Sequence, residues 1–288
     1  MKIYDMHVHA LNTEPKPEQL LAQMEAVGVY GSTVFSNWPK ESNPRTGTSF
    51  DERLEEVFAW TNGYEGRLFP VMFIHPYEEN IIENIHKAVD RGILAFKIIC
   101  TNFYVYEEQS MKVIREIASL GKPIFFHSGI LWDGAVSSRY NRPLNWEDLL
   151  MVPNLKFSLG HCSWPWIDEC IALYGKFLNS RKRELTTAEM FFDITPGTPA
   201  IYREELLYKL FKIGYDVNDN IMFGSDGRTH NYPLGIKSYL EMDGKILDKL
   251  EIGEDVRQKI YCDNLMRFLG LKEVNKPKEA YENVTSGW

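Results

Sequence analysis

Residues 92–121 read GILAFKIICTNFYVYEEQSMKVIREIASLG. The apolar run from Ile93 to Ile99 predicts a buried strand. Val113, Ile114, Ile117 and Leu120, closed by Gly121, recur at helical spacing and predict a helix after it. Outward in both directions the same unit repeats. Candidate strands are Ile3 to Val8, Tyr30 to Phe35, Leu68 to Ile74, Ile93 to Ile99, Pro123 to Phe126, Leu155 to Leu159, Met190 to Ile194 and Ile221 to Phe223, eight in all. A second clear helix, carrying Leu20, Leu21, Met24 and Val27 and closed by Gly28, follows the first strand. Strand followed by helix, repeated, implies a parallel sheet. Eight repeats in 288 residues suit an α/β fold of the (β/α)8 TIM-barrel kind better than an open doubly wound sheet. No glycine-rich dinucleotide fingerprint follows the first strand.

The expected organisation is a single domain over residues 1–271, with a last helix near Asp255 to Leu269 ended by Gly270, and a short polar tail over 272–288 that carries Pro277. The segment from Ser36 to Ser49 is loop-like for longer than most connections, a length that usually serves a site.

Composition narrows the function classes. With 44% hydrophobic and 25% charged residues the chain is compact and globular rather than disordered or fibrous. A net charge of -8 argues against nucleic acid, whose phosphates need a basic face. The one compact basic run, Arg181-Lys182-Arg183, is followed at once by Glu184 and reads as a solvated face. No apolar run approaches the ~20 residues of a membrane span. The first ten residues, MKIYDMHVHA, lack the apolar core of a secretion signal. Cys100, Cys162, Cys170 and Cys262 are scattered, as expected of reduced thiols in a cytoplasm. These features point to a small-molecule substrate; self-association is left open.

Asp5, His7 and His9 alternate with Tyr4, Met6 and Val8, and a strand sends alternate residues to opposite faces. In a parallel barrel the outward face receives helices, so Tyr4, Met6 and Val8 are expected outside and both histidines inside. A lone His-X-His is weak evidence of a metal. The signal strengthens because three further polar groups fall at the C-terminal ends of their own predicted strands, where barrel enzymes place chemistry. His127 ends Pro-Ile-Phe-Phe-His, His161 ends Phe-Ser-Leu-Gly-His and Asp226 ends Ile-Met-Phe-Gly-Ser-Asp. Singly, each could be a satisfied core group or a turn cap.

In order along the chain, Asp-Met-His-Val-His, Phe-His-Ser-Gly, Gly-His-Cys, Phe-Gly-Ser-Asp and Asp-Asn-Leu-Met-Arg-Phe-Leu-Gly resemble the amidohydrolase superfamily. The likeness is strongest to the branch containing aminocarboxymuconate-semialdehyde decarboxylase and its hydrolytic relatives. The resemblance implies that His7, His9, His127 and Asp226 bind one divalent ion, usually zinc. It also implies that Asp226 accepts a proton from water and that His161 stays close to the water or substrate. A bound ion lowers the pKa of its water to about 7.

Lys97 interrupts the apolar fourth strand, where a buried ammonium needs a partner. In binuclear superfamily members a lysine on this strand is carbamylated and bridges two metals. Characterised decarboxylases of the resembled branch do not generally use that bridge, so the favoured expectation is an ammonium pairing with Asp226 or with a substrate carboxylate. Further substrate contacts are expected from the mouth loops, chiefly Arg228, Trp132 and Arg139. Other candidates there are Trp38, Phe103, Tyr104, Tyr140, Trp164, Trp166 and His230. His75 is read as structural, and Cys162 as facing away from the site.

Two reactions suit such a shell. The leading one is hydrolysis of an amide, lactone or related bond in a small organic acid; the alternative is non-oxidative decarboxylation of a small aromatic or muconate-like acid. Barrel phosphoesterases and nucleases that also begin with His-X-His need a glutamate-rich second half, and none is evident. A catalytically silent barrel used for binding is a third class.

Overall fold

The computed structural model describes residues 1–11, 13–197 and 199–271; the expected tail over 272–288 lies outside the described residues. Ten short strands form one parallel sheet: β1 (Tyr4–Asp5), β2 (Val8–His9), β3 (Gly31–Phe35), β4 (Leu68–Phe73), β5 (Ala95–Ile98), β6 (Ile124–Phe126), β7 (Lys156–Leu159), β8 (Glu189–Asp193), β9 (Ile221–Met222) and β10 (Gly227–Arg228). Neighbours run in sequence from β2 to β9, β1 pairs with β3, and β10 pairs with β2. The Met6 N–H donates to Phe223 O at 3.0 Å, so the last strand meets the first and the sheet closes. β1 with β2 forms the first stave of the barrel and β9 with β10 the eighth, giving the (β/α)8 architecture.

Helices α1 (Pro17–Glu25), α2 (Phe50–Thr61), α3 (Ile81–Asp90), α4 (Glu108–Ser119), α5 (Ile167–Lys182) and α6 (Arg203–Lys212) return the chain between staves, and α7 (Ile236–Lys249) follows the last stave. One connection departs from the pattern: after β6 two 3-10 segments, Ser138–Asn141 and Pro143–Met151, stand where an α-helix would. The long loop after β3 ends at a capping box, in which the Ser49 N–H donates to Glu52 at 2.8 Å and the Glu52 N–H returns to the Ser49 hydroxyl.

Packing forms two layers. Between strands and helices lies the larger one, with residues such as Val8, Val34, Met72, Phe96, Phe126 and Phe192. Inside the barrel Tyr4, Met6, Phe35, Phe69, Val71, Ala95, Phe125, Phe191 and Met222 form a second cluster with Leu265, Met266, Phe268 and Leu269. These last four come from the final helical stretch, where α8 (Glu254–Gln258), a π turn (Lys259–Asp263) and α9 (Asn264–Phe268) run on without a break. The Phe268 ring lies 4.8 Å from Phe125 and 4.9 Å from Phe191. The closing helix therefore plugs the N-terminal end of the barrel and leaves the C-terminal end open.

The first stave corrects the expected alternation. Val8 does face the helices, but Tyr4 and Met6 belong to the inner cluster, together with the inward His7 that contacts the Phe35 ring at 4.9 Å. The strand is interrupted between β1 and β2, so Met6 and His7 both turn inward, as at a bulge. The Thr33 hydroxyl donates to Met6 O at 2.6 Å within this interruption. Asp5 is thereby sent to the outer layer, against Tyr232.

Candidate metal centre

At the open end β2 ends on His9, with His7 just before it, and the turn between β9 and β10 carries Asp226. His7 Nε2 and His9 Nε2 are 3.2 Å apart, and Asp226 Oδ1 lies 3.5 Å from the first and 3.3 Å from the second. Donors at 2.0–2.1 Å around a tetrahedral zinc are separated by about 3.3–3.4 Å, so these three atoms already have the spacing of ligands to one ion. His127, at the end of β6, lines the same cavity, outside this tightest triplet. Its Nε2 is buried and has no hydrogen-bond partner among the described residues. Leaving such an atom unsatisfied costs about 1–3 kcal/mol, a cost that coordination would remove. The residues present therefore suit a divalent ion: His7, His9 and Asp226 have ligand spacing, and His127 offers an unsatisfied nitrogen to the same cavity.

A layer behind the donors fixes their chemistry. The His7 Nδ1–H donates to Asp193 Oδ2 at 2.8 Å. Asp193 ends β8 and also accepts the Thr195 amide at 2.7 Å and the Thr195 hydroxyl. Burial alone would raise the Asp193 pKa, but His7, His161 and Thr195 outweigh it and bring it down to about 2. Burial and the nearby Lys97 charge push His7 down to about 3 in spite of Asp193. His7 is thus a neutral imidazole with its proton on Nδ1 and its Nε2 lone pair facing the cavity, the tautomer a metal needs. Burial also lowers His9, against the pull of Asp226, and lowers His127, where His161 and Lys97 add to the effect. For Asp226 burial works against ionisation, yet the His9 hydrogen bond and the imidazoles of His7 and His161 hold the carboxyl well below its usual range.

Lys97 is almost fully buried, and its Nζ lies 3.5 Å from His7 Nε2 and 5.1 Å from the Phe35 ring centre. The expected pairing with Asp226 is not formed, since no carboxylate of the described residues comes within 4.0 Å of this ammonium. Burial draws its pKa down to about 8, with Asp193 and Asp226 opposing. His161 stands beside the donors, its ring 5.4 Å from His7 and 5.2 Å from His127. It sits outside β7, in a turn where His161, Cys162 and Ser163 have φ of 56°, 43° and 59°. Three successive left-handed residues without glycine cost about 1–2 kcal/mol each, a strain that marks a built feature. Gly197 faces this ring so closely that a Cβ there would lie 2.5 Å from His161 Cγ.

The cavity above these groups holds about 730 Å³. Its upper walls include Trp38, Ile99, Ile130, Leu131, Trp132, Trp164 and Arg228. Trp132 is a rim residue, 81% exposed. Arg139 corrects an expectation: it is exposed, donates to the Tyr140 hydroxyl at 2.8 Å and does not line the cavity. Phe103, Tyr104, Tyr140, Trp166 and His230 also stay outside the lining. Both ring nitrogens of His75 are engaged, by Asn102 at 3.1 Å and by the Tyr77 amide at 3.3 Å. Cys162 packs in the outer layer, where burial pushes its thiol far up. Sequence reading missed Asp193 and the cavity residue Arg45. Asp193 carried a usable signal, since it is a charged residue ending an apolar strand, as His127 is. Arg45 carried none, lying in an irregular loop.

A closed parallel barrel with two imidazoles and a carboxylate meeting at its C-terminal mouth places a candidate metal site where barrel enzymes carry their chemistry. The chain belongs to the amidohydrolase family, whose model matches residues 4–271. Members of this family are enzymes that typically bind a divalent metal and act on small molecules. No curated protein matches the sequence significantly. Among solved structures, the chain resembles a probable 2-pyrone-4,6-dicarboxylic acid hydrolase from Acinetobacter baumannii at 14% identity and TM-score 0.61, covering 94% of this chain and 100% of that one. It resembles 2,6-dihydroxybenzoate decarboxylase from Rhizobium equally well, at 14% identity and TM-score 0.61, covering 94% and 99%. Dihydroorotase from Campylobacter jejuni follows at 15% identity and TM-score 0.57, covering 94% and 84%. At these identities the likeness is one of fold. Among the described residues no helix is long and apolar enough to cross a membrane.

Proposed function

We propose that this protein is a metal-dependent hydrolase that opens an amide, lactone or related bond in a small carboxylate-bearing molecule. The observation that carries the reading is the approach of His7 Nε2, His9 Nε2 and Asp226 Oδ1 to within 3.5 Å of one another beneath an open cavity. His7, His9, His127 and Asp226 hold one divalent ion, and this set of imidazoles with one carboxylate suits zinc. When bound, the ion acidifies water and polarises the substrate carbonyl.

The chain's own groups do the rest. Asp226, half exposed at the mouth and ionised, takes the proton from the attacking water and returns it to the leaving group. His161 donates a hydrogen bond to the oxygen on which charge develops. Lys97 from below and Arg228 from the rim pair with substrate carboxylate, while Ile99, Ile130, Trp132 and Trp164 receive the carbon frame. The buried thiols of Cys100, Cys162 and Cys170 fit a reducing, cytoplasmic setting.

The test is to measure metal content and then screen lactones and cyclic amides of carboxylic acids in oxygen-18 water. Label in the product supports hydrolysis; carbon dioxide release from an aromatic or muconate-like acid supports the decarboxylase alternative instead. Changing His7 and His9 together to alanine should abolish metal retention and turnover while the circular dichroism stays that of the parent. A double variant with full metal content refutes the assigned ligands.

A further inference from the structure

We infer that Asp5, buried in the outer layer of the barrel, is a positioning residue that locks His7 and Asp226 into one ligand geometry. This rests on the metal-binding reading above.

The bulge makes the role feasible. In a regular strand Asp5 would share the inner face with His7 and His9; the interruption after β1 turns it to the wall where the first and eighth staves meet. There one carboxylate collects four donors. Oδ1 accepts the His7 amide at 2.9 Å and the Ser225 amide at 2.9 Å. Oδ2 accepts the Tyr232 hydroxyl at 2.7 Å and the Ser225 hydroxyl. The Ser225 oxygen in turn accepts the Gly227 amide at 3.0 Å. Asp226 is therefore bracketed on both sides by residues tied to Asp5, and it needs the bracket, because its φ of 57° is left-handed without glycine's freedom. The Gly227 amide also donates to His7 O at 3.2 Å, so the two ligand-bearing segments are joined directly as well. With one oxygen held by the His7 and Ser225 amides and the other by the Ser225 and Tyr232 hydroxyls, the fully buried Asp5 sets the relative position of Nε2 and Oδ1 without touching the ion.

An asparagine in its place keeps the shape but presents an NH2 to donors. Partners behind metal ligands typically govern affinity by about 10–100-fold, and that is the loss expected for Asp5→Asn. The experiment titrates cobalt(II) into metal-depleted full-length protein and records both the dissociation constant and the visible ligand-field spectrum. Asp5→Asn should bind at least tenfold more weakly with a changed spectrum, and Ser225→Ala should move both readouts in the same direction by less. A folded Asp5→Asn protein with the parent's constant and spectrum overturns the inference. Should that variant fail to fold, Ser225→Ala decides: an unchanged constant and spectrum overturn it equally. Parent protein that takes up no cobalt would instead overturn the metal reading itself and this inference with it, so the two failures are distinguishable.

Discussion

At the residue scale, what makes His7 a usable ligand is its neighbour. An imidazole alone divides its proton between two nitrogens; the Asp193 carboxylate at 2.8 Å settles it on Nδ1 and leaves Nε2 open toward the cavity. Asp193 remains ionised because His7, His161 and Thr195 overcome the burial that would raise it, reaching about 2. Replacing Asp193 by asparagine keeps the volume and removes the charge that holds the tautomer. Zinc affinity should fall by about 10–100-fold, read by competition with a chelating dye, in protein whose circular dichroism stays that of the parent. Unaltered affinity would mean that the tautomer is fixed by something other than Asp193.

At the scale of elements, the closing helix contributes to stability by filling the barrel rather than covering it. Phe268 lies against Phe125 and Phe191, and Leu265, Met266 and Leu269 complete the plug. Truncating Phe268 to alanine removes a fully buried ring and should cost about 3–5 kcal/mol in urea unfolding, with metal content per folded molecule unchanged. A loss below about 1 kcal/mol would show that the plug is dispensable. This role was not legible in the sequence, where periodicity marked the helix near Asp255 to Leu269 but a helical face does not say which surface receives it. The staves were legible because a parallel strand buried on both faces writes itself as a continuous apolar run, as from Ile93 to Ile99. So were His127 and Asp226, polar groups at the ends of such runs. Asp193 bears the same mark, although an isolated aspartate after Phe191 and Phe192 suits a turn cap equally well. The bulge at Met6 was invisible, since strict alternation put Asp5, His7 and His9 on one face, and only the pairing of the first stave with the eighth breaks it.

At the scale of the whole molecule, the two ends of the barrel handle buried charge differently. Among the described residues the mouth leaves Lys97 and His127 without full pairing, in keeping with the proposed binding of an ion and a carboxylate there. At the opposite end Glu189 accepts from Arg267 at 2.8 Å, pairs with Arg181 at 3.0 Å and accepts from Asn220 at 3.1 Å. Burial there would raise the Glu189 pKa, but the Arg267 hydrogen bond and the charges of Arg267 and Arg181 outweigh it and lower it from 4.5 to about 2. Because the folded value lies below the unfolded one, the network's contribution is fully present above about pH 4.5 and is lost as pH falls toward 2. Between pH 5 and pH 3 this single group should remove about 2 kcal/mol of folding stability. Arg267 joins α9 to β8, so acid should loosen the plug. Urea unfolding of the parent and of Glu189→Gln at several pH values checks this. The variant starts less stable at neutral pH, because Arg267 loses its anion, but its stability should fall by about 2 kcal/mol less over that interval. Parallel pH curves for the two proteins would place the acid-sensitive group elsewhere, with Asp193 and Asp226 at the mouth the next to test.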